Sequence, residues 1–230
     1  MSDEIHDVAV IGAGQAGLAV SYYLKAAQFE HLVLESGVVG ESWRSQRWDS
    51  FKLNTPRAIS GLPGLANDTG PSDGFCTARE LIEFFERYVD RFQLPVRSRS
   101  TVTRMETDSE GRFVLDLETG TGPRRIEARH VVIATGPQRM PKIPDLSANI
   151  PSEIHQLHAA EYRNADALPA GSVLVVGSGQ SGCQIAEDLL ASGRRVLVST
   201  SKVVRLPRRY RGHDVMEWAL DTGLCGSSRP

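Results

Sequence analysis

The 230-residue sequence is 40% apolar and 23% charged, the profile of a globular protein long enough to bury a substantial core. Its formal net charge of −2 excludes a nucleic-acid or membrane-surface partner, which would leave a basic excess. The opening MSDEIHD lacks the basic and apolar regions of a signal peptide, and no apolar run approaches the ~20 residues of a membrane span, so the expected location is the cytoplasm.

The apolar run at residues 7–11 (DVAVI) predicts a buried parallel strand. GAGQAG follows at once, then a helix over 18–27 and a second strand over 32–35, LVLE, which completes a βαβ unit. Residues 37–75 are rich in Gly, Pro, Asn, Asp and Trp and read as a long loop region, of the kind that serves a function. Thr77, Ala78, Arg79 and Glu80 spell a capping box. The helix it opens places Leu81, Phe84, Phe85, Tyr88 and Phe92 on one face and stops at Pro95. Two strands are expected over 101–106 and 113–118 around a Ser-Glu-Gly turn, and another over 130–134, ending in Thr135-Gly136. Pro137, Pro141, Pro144 and Pro151 make a stiff connector. The pattern then restarts with a strand over 172–176, GSGQSG, a helix over 183–191 and a strand over 195–199. Positions 12–17 and 177–182 thus begin two copies of one supersecondary unit, and the chain divides into residues 1–150 and 151–230.

Each glycine of the first turn has its own task. Gly12 permits the tight turn out of the strand, Gly14 lets backbone approach a pyrophosphate, and Gly17 lets helix and strand pack closely. The helix N-terminus, at Gln15 and Ala16, offers free N–H groups and a partial positive charge to phosphates. Glu35 ends the next strand, where a carboxylate accepts from ribose hydroxyls. The second turn repeats the pattern in Gly177, Gly179, Gln180, Ser181 and Gly182, but its following strand ends in Ser199-Thr200-Ser201-Lys202 with no acid. Arg205, Arg208, Arg209 and Arg211 come soon after. Hydroxyls and cations there favour a 2′-phosphate, hence NADPH over NADH; the same basic run also reads as a solvated surface segment. The three cysteines, Cys76, Cys183 and Cys225, form no CxxC pair and specify no metal site. That argues against chemistry that needs a redox-active cysteine pair.

Further motifs carry a resemblance. GESWR at 40–44, LNTP at 53–56, ATGPQRMPKIP at 134–144 and LHAAEYR at 157–163 closely resemble the flavin-containing monooxygenases, class B flavoproteins that bind two dinucleotides. The resemblance implies an α/β fold in which a Rossmann-type FAD-binding domain with three ββα layers precedes a partial, second Rossmann-type domain for NAD(P). Gly12, Gly14, Gln15, Ala16, Gly17, Glu35, Ser36, Trp43, Arg44, Thr135 and Gly136 would hold FAD. Gly177, Gly179, Gln180, Ser181, Gly182, Ser199 and Lys202 would hold NADPH. Asn54 would lie by the flavin ring as the catalytic residue. His158 and Tyr162 match the end of the group's FxGxxxHxxx(W/F/Y) motif, whose Phe and Gly positions are Ser152 and Ile154 here, which points to a more distant bacterial-type subgroup.

The implied chemistry is hydride transfer from NADPH to flavin, reaction with O2 to a C4a-(hydro)peroxyflavin, and insertion of one oxygen into a small N-, S- or carbonyl-containing substrate. A homodimer is compatible with it. Such chains return from the second domain to complete the first, and here the 54 residues from Gly177 to Pro230 make barely one βαβ start. The expectation is therefore a truncated, frameshifted or split product, with an uncovered second sheet, an exposed edge on the first and weak FAD binding. Two alternatives stay open: a non-catalytic nucleotide-binding remnant, and an NAD(P)H-dependent flavoprotein reductase.

Overall fold

The computed structural model describes residues 4–71, 73–136, 140–202 and 207–223. Pro137, Arg205 and Cys225 lie outside them.

In chain order, strand β1 (Glu4–Ile11) leads through the first glycine turn into helix α1 (Gln15–Ala26) and strand β2 (His31–Leu34). Helix α2 (Glu41–Ser45), strands β3 (Lys52–Pro56) and β4 (Phe75–Thr77) and helix α3 (Ala78–Phe92) follow. Strands β5 (Val96–Arg97), β6 (Ser100–Thr107), β7 (Phe113–Thr119) and β8 (Gly122–Ile133) complete the first half. The second half holds β9 (Val173–Val176), α4 (Gln180–Ala191), β10 (Val196–Ser199), β11 (Arg209–Tyr210), β12 (His213–Asp214) and α5 (Val215–Asp221). No helix among the described residues is long and apolar enough to cross a membrane.

The main sheet runs β5-β2-β1-β8-β7-β6. β5, β2, β1 and β8 pair in parallel, whereas the β8–β7 and β7–β6 pairs are antiparallel. β8 is long enough to serve both parts: residues 126–133 pair with β1 and residues 122–128 with β7. Three layers follow. On one face of the parallel strands, α1 and α3 bury Leu18, Leu81, Phe84, Phe85 and Tyr88 against Val8, Val10 and Val33. On the other, Leu115, Leu117, Ile126 and Ala128 of the β6–β8 meander pack on Ala9, Leu32 and Leu34. This is the expected α/β ββα architecture. A strand with apolar residues pointing both ways, such as β1, belongs between two such layers.

Helix α3 is held as its sequence predicts. The Glu80 N–H donates to Thr77 Oγ1 at 3.2 Å, and the Thr77 N–H donates to Glu80 Oε2 at 2.8 Å. Tyr88, buried with the helix's aromatic face, finds the Pro63 carbonyl at 2.6 Å for its hydroxyl, and burial pushes its phenol well above the usual range.

The supposed loop at 37–75 is partly built. α2, β3, β4 and a 3-10 turn at Arg57–Ile59 lie within it or at its end, short pieces without a periodicity to announce them. Arg57 is the buried anchor, pairing with Glu80 at 2.7 Å and donating to Cys76 Sγ at 3.1 Å.

β9 and β10 form a two-stranded parallel sheet with α4 on one face, burying Val175, Ile185, Ala186 and Leu189. On the opposite face Leu174, Val176 and Leu197 stand 58%, 66% and 52% exposed. Along residues 129–133, β8 pairs on only one side among the described residues, and Ile133 is 66% exposed.

Candidate functional site: two glycine turns and the strand between them

The two turns are local copies. Gly12 has φ +110° and Gly177 +104°, conformations that side chains resist. The Gly12 N–H donates to Leu34 O at 2.7 Å, and the Gly177 N–H to Ser199 O at 2.9 Å. The helices close alike, Leu18 N–H on Gly14 O at 3.0 Å and Cys183 N–H on Gly179 O at 2.9 Å. A Cβ on Gly17 would stand 1.8 Å from Gly12 O, and one on Gly182 would stand 2.0 Å from Gly177 O. The third glycine of each turn is therefore required by the protein's own backbone.

The middle glycines differ. A Cβ on Gly14 or on Gly179 would meet nothing within 4 Å among the described residues. Nothing in the fold demands glycine there, and both positions cap a helix whose first N–H groups have no intrahelical acceptor. That cradle fits a dinucleotide pyrophosphate, which needs close backbone approach and N–H donors. In the second turn, Ser178 Oγ is buried without a hydrogen-bond partner among the described residues, one further polar group for a ligand to meet.

Around the first turn, the Glu35 carboxylate is already well used. Its Oε2 accepts from the Ala13 N–H at 2.8 Å; its Oε1 accepts from the Gly37 N–H at 3.0 Å and the Ser36 hydroxyl at 3.1 Å. It fastens the turn to the following loop and keeps lone-pair capacity for one more donor. The ATG strand end abuts this turn: the Ala134 N–H donates to Ile11 O at 2.8 Å, Ala134 O would lie 2.5 Å from a Gly12 Cβ, and Thr135 and Gly136 are exposed beside it. The Gly40 N–H reaches Ala13 O at 3.4 Å, so α2 begins against the same turn.

Trp43 on α2 packs toward Phe51, with the Arg47 guanidinium 4.7 Å above its ring. Arg44 pairs with Glu86 of α3 and donates to Val39 O. Trp43, Arg44, Arg47 and Trp48 line a cleft of about 410 Å³ against α3. Burial lowers the Arg47 pKa from its ordinary value, and the buried Trp48 indole N–H has no acceptor among the described residues.

Asn54 lies on β3, where its Oδ1 accepts from Gln184 Nε2 of α4 at 3.1 Å. His158 and Tyr162 are both engaged within the fold. His158 Nδ1 accepts from the Ala160 N–H at 3.1 Å, closing a local turn. The buried Tyr162 hydroxyl donates to Asp188 of α4 at 2.6 Å, and burial with that carboxylate raises its pKa. Gln180, Ser181, Ser199 and Lys202 are exposed around the second turn. Of the basic run, Arg208 is tied to Asp214 at 2.7 Å and stacked over Phe75, Arg209 faces Asp73 at 4.0 Å and Arg211 covers Tyr210. The hairpin thus engages Arg208, Arg209 and Arg211 in contacts of its own while they stay exposed, and Lys202, just beyond β10, is exposed as well.

Sequence reasoning missed the ties between the halves. The Asp49 N–H donates to Arg163 O at 2.9 Å, Asn164 Nδ2 to Asp49 Oδ2 at 2.7 Å, and Arg163 to the Ser45 and Arg47 carbonyls. Gln184 and Asp188, one helical turn apart, were the available clue: two polar residues on a face of α4 that also carries buried Ile185 and Leu189.

Known proteins agree with this geometry. Over 97% of its length the chain is 35% identical to the uncharacterized oxidoreductase CzcO of Bacillus subtilis, covering 63% of that protein. It is 28% identical to the indole-3-pyruvate monooxygenase YUCCA4 of rice over 91% of the chain and 52% of the relative. A solved double-mutant flavin monooxygenase from Stenotrophomonas maltophilia superposes with a TM-score of 0.77 at 27% identity, across 90% of this chain and 61% of that one. The chain therefore spans about three fifths of the bacterial relatives it matches. A family model described as pyridine nucleotide-disulphide oxidoreductase matches residues 9–212. With both glycine turns and the strand between them inside that match, the chain belongs to the pyridine nucleotide-disulphide oxidoreductase family.

Proposed function

We propose that this chain supplies the FAD-binding part, residues 1–150, and the start of the NADPH-binding part, residues 151–230, of a flavin monooxygenase. The observation that carries the reading is the unequal demand on the glycines: Gly17 and Gly182 are forced by backbone contact, whereas Gly14 and Gly179 face open space beside helix N-termini. Gly12, Gly14, Gln15, Ala16, Gly17, Glu35, Ser36, Trp43, Arg44, Thr135 and Gly136 would hold FAD; Gly177, Gly179, Gln180, Ser181, Gly182, Ser199 and Lys202 would hold NADPH. Bound FAD would supply electron acceptance from NADPH and activation of O2 for transfer of one oxygen atom to a small N-, S- or carbonyl-containing substrate.

The chain's own residues bind and orient. The α1 and α4 N-termini offer N–H donors to phosphates. Glu35 fixes the loop that returns past the first turn and has one acceptor position left for a ribose hydroxyl. Asn54 offers an amide on the strand between the two units, and Trp43 with Phe51 forms an apolar wall. A cytoplasmic setting suits this chemistry, and the reading allows a homodimer.

Titration of FAD into the purified chain, followed by flavin fluorescence, tests the reading. Saturable binding that Gly14→Val weakens at least tenfold without lowering the melting temperature is expected. Flavin binding equal in wild type and Gly14→Val overturns the assignment of the first turn. NADPH-dependent bleaching of the bound flavin, reversed by air, extends the test to the second.

A further inference from the structure

Helix α4 begins at the second glycine turn, and one turn further on it reaches the first half of the protein. Gln184 Oε1 accepts from the Lys52 N–H at 3.3 Å. Its Nε2 donates to the Lys52 carbonyl at 3.0 Å and to Asn54 Oδ1 at 3.1 Å. Side-chain amides can usually be flipped, but this one cannot. A main-chain N–H only donates and a main-chain carbonyl only accepts, so the two bonds to Lys52 fix which end of Gln184 is which. The nitrogen end therefore faces Asn54, and Asn54 must answer with its oxygen.

The orientation of Asn54 is thus decided two residues away in sequence and across two elements in space. Lys52 and Asn54 share one face of β3. With Oδ1 engaged, the NH2 end of Asn54 is what remains, and it donates no hydrogen bond among the described residues. A free NH2 can stabilise negative charge developing on a nearby oxygen, whereas a flipped amide would present an acceptor and oppose it. Asp188, four residues beyond Gln184 on α4, binds Tyr162, so the helix is pinned at a second point on the same side.

We propose that Gln184 is a positioning residue that sets the side-chain amide of Asn54 and couples it to the helix carrying the second nucleotide turn. The inference rests on the flavin-side reading of Asn54. Its physical content is a relay: α4 responds to a phosphate at Gly179, Gln184 moves with α4, and Asn54 follows Gln184.

The test uses the whole chain labelled with nitrogen-15, with the Asn54 NH2 resonances assigned by their loss in Asn54→Ala. Gln184→Met keeps side-chain length and helix propensity but makes none of the three bonds. Gln184→Glu keeps the acceptor for Lys52 and loses both donors, which predicts a flipped Asn54. In the nucleotide-free protein, both variants are expected to shift the Asn54 NH2 pair while backbone resonances of β1 and α1 stay in place. In wild type, NADP+ is expected to shift the amides of Gly179 and Gly182 and the Asn54 NH2 pair together. In Gln184→Met the glycines still shift and Asn54 does not. FAD affinity is expected to fall about three- to tenfold in both variants, the effect of one lost oriented hydrogen bond.

An Asn54 NH2 pair unchanged by Gln184→Met overturns the positioning role. An Asn54 response to NADP+ that survives Gln184→Met overturns the relay. A wild-type chain whose glycine amides ignore NADP+ overturns the relay and the nucleotide reading of the second turn together, and the nucleotide-free comparison still decides whether Gln184 positions Asn54.

Discussion

The first and second glycine turns are nearly the same piece of backbone in two different neighbourhoods. Turn angles, closing hydrogen bonds and the tight approach of the third glycine to the first agree between them. Yet a Cβ on Gly12 would lie 2.5 Å from Ala134 O, while one on Gly177 would meet nothing within 4 Å among the described residues. The first turn is backed by parallel strands of the main sheet that are covered on both faces; among the described residues, the second rests on two strands covered on one. The shape of such a turn is therefore a local property of its glycines, whereas its cost of distortion is set by the strands behind it. The comparison predicts that equal substitutions have unequal consequences.

The largest effect should come from the layers themselves. Phe84→Ala removes a fully buried ring from between α3 and the main sheet and is expected to cost about 3–5 kcal/mol. Leu189→Ala, equally buried on α4, is expected to cost about 2–5 kcal/mol. Their patterns should differ: hydrogen exchange should open the whole first half in Phe84→Ala, but only β9, α4 and β10 in Leu189→Ala. Uniform opening in both would show that the halves unfold as one, through the Asp49, Arg163 and Gln184 ties.

Next come the turn glycines. Gly12→Ala and Gly177→Ala share the strain of a positive φ, of order 1–3 kcal/mol. Only Gly12→Ala adds a clash with strand backbone, because Ala134 is hydrogen-bonded to Ile11 and has no room to yield. Thermal unfolding should therefore rank Gly12→Ala as clearly the more damaging. Equal losses would mean that strain alone governs both. Gly17→Ala and Gly182→Ala, facing contacts of 1.8 Å and 2.0 Å, should each cost about 1–3 kcal/mol, the price of overpacking.

Much of this was legible in the sequence, for reasons that differ by residue. The turns could be read because each glycine answers a local demand, and α3 because its capping box and aromatic face repeat at helical spacing. β8 was only half read: its first residues, with Arg124, Arg125 and Glu127, face solvent or the meander and carry no apolar run. β3 and β4 were hidden inside a segment rich in turn formers, since short strands there are held by Arg57, Glu80 and Cys76 rather than by periodicity. The Gln184 clasp on Lys52 and Asn54 was invisible because its partners lie 132 and 130 residues apart, and nothing in a single sequence pairs them. Glu35 was found for its position at a strand end, but its bonds to Ala13 and Gly37 emerge only when the turn is folded.

The smallest predicted effect is also the sharpest test of the contrast. Leu174 and Val175 are adjacent on β9 and point to opposite faces, one exposed and one buried under α4. A lysine at Val175 would bury a charge without a partner and should melt the second unit. A lysine at Leu174 should change stability by no more than about 0.5 kcal/mol, as surface substitutions do, and should reduce self-association by breaking the apolar patch of Leu174, Val176 and Leu197. Thermal unfolding with light scattering reads both. Should Leu174→Lys cost more than about 1 kcal/mol, that face of the second sheet is covered in solution, and the two turns are more alike in their surroundings than their present neighbours make them.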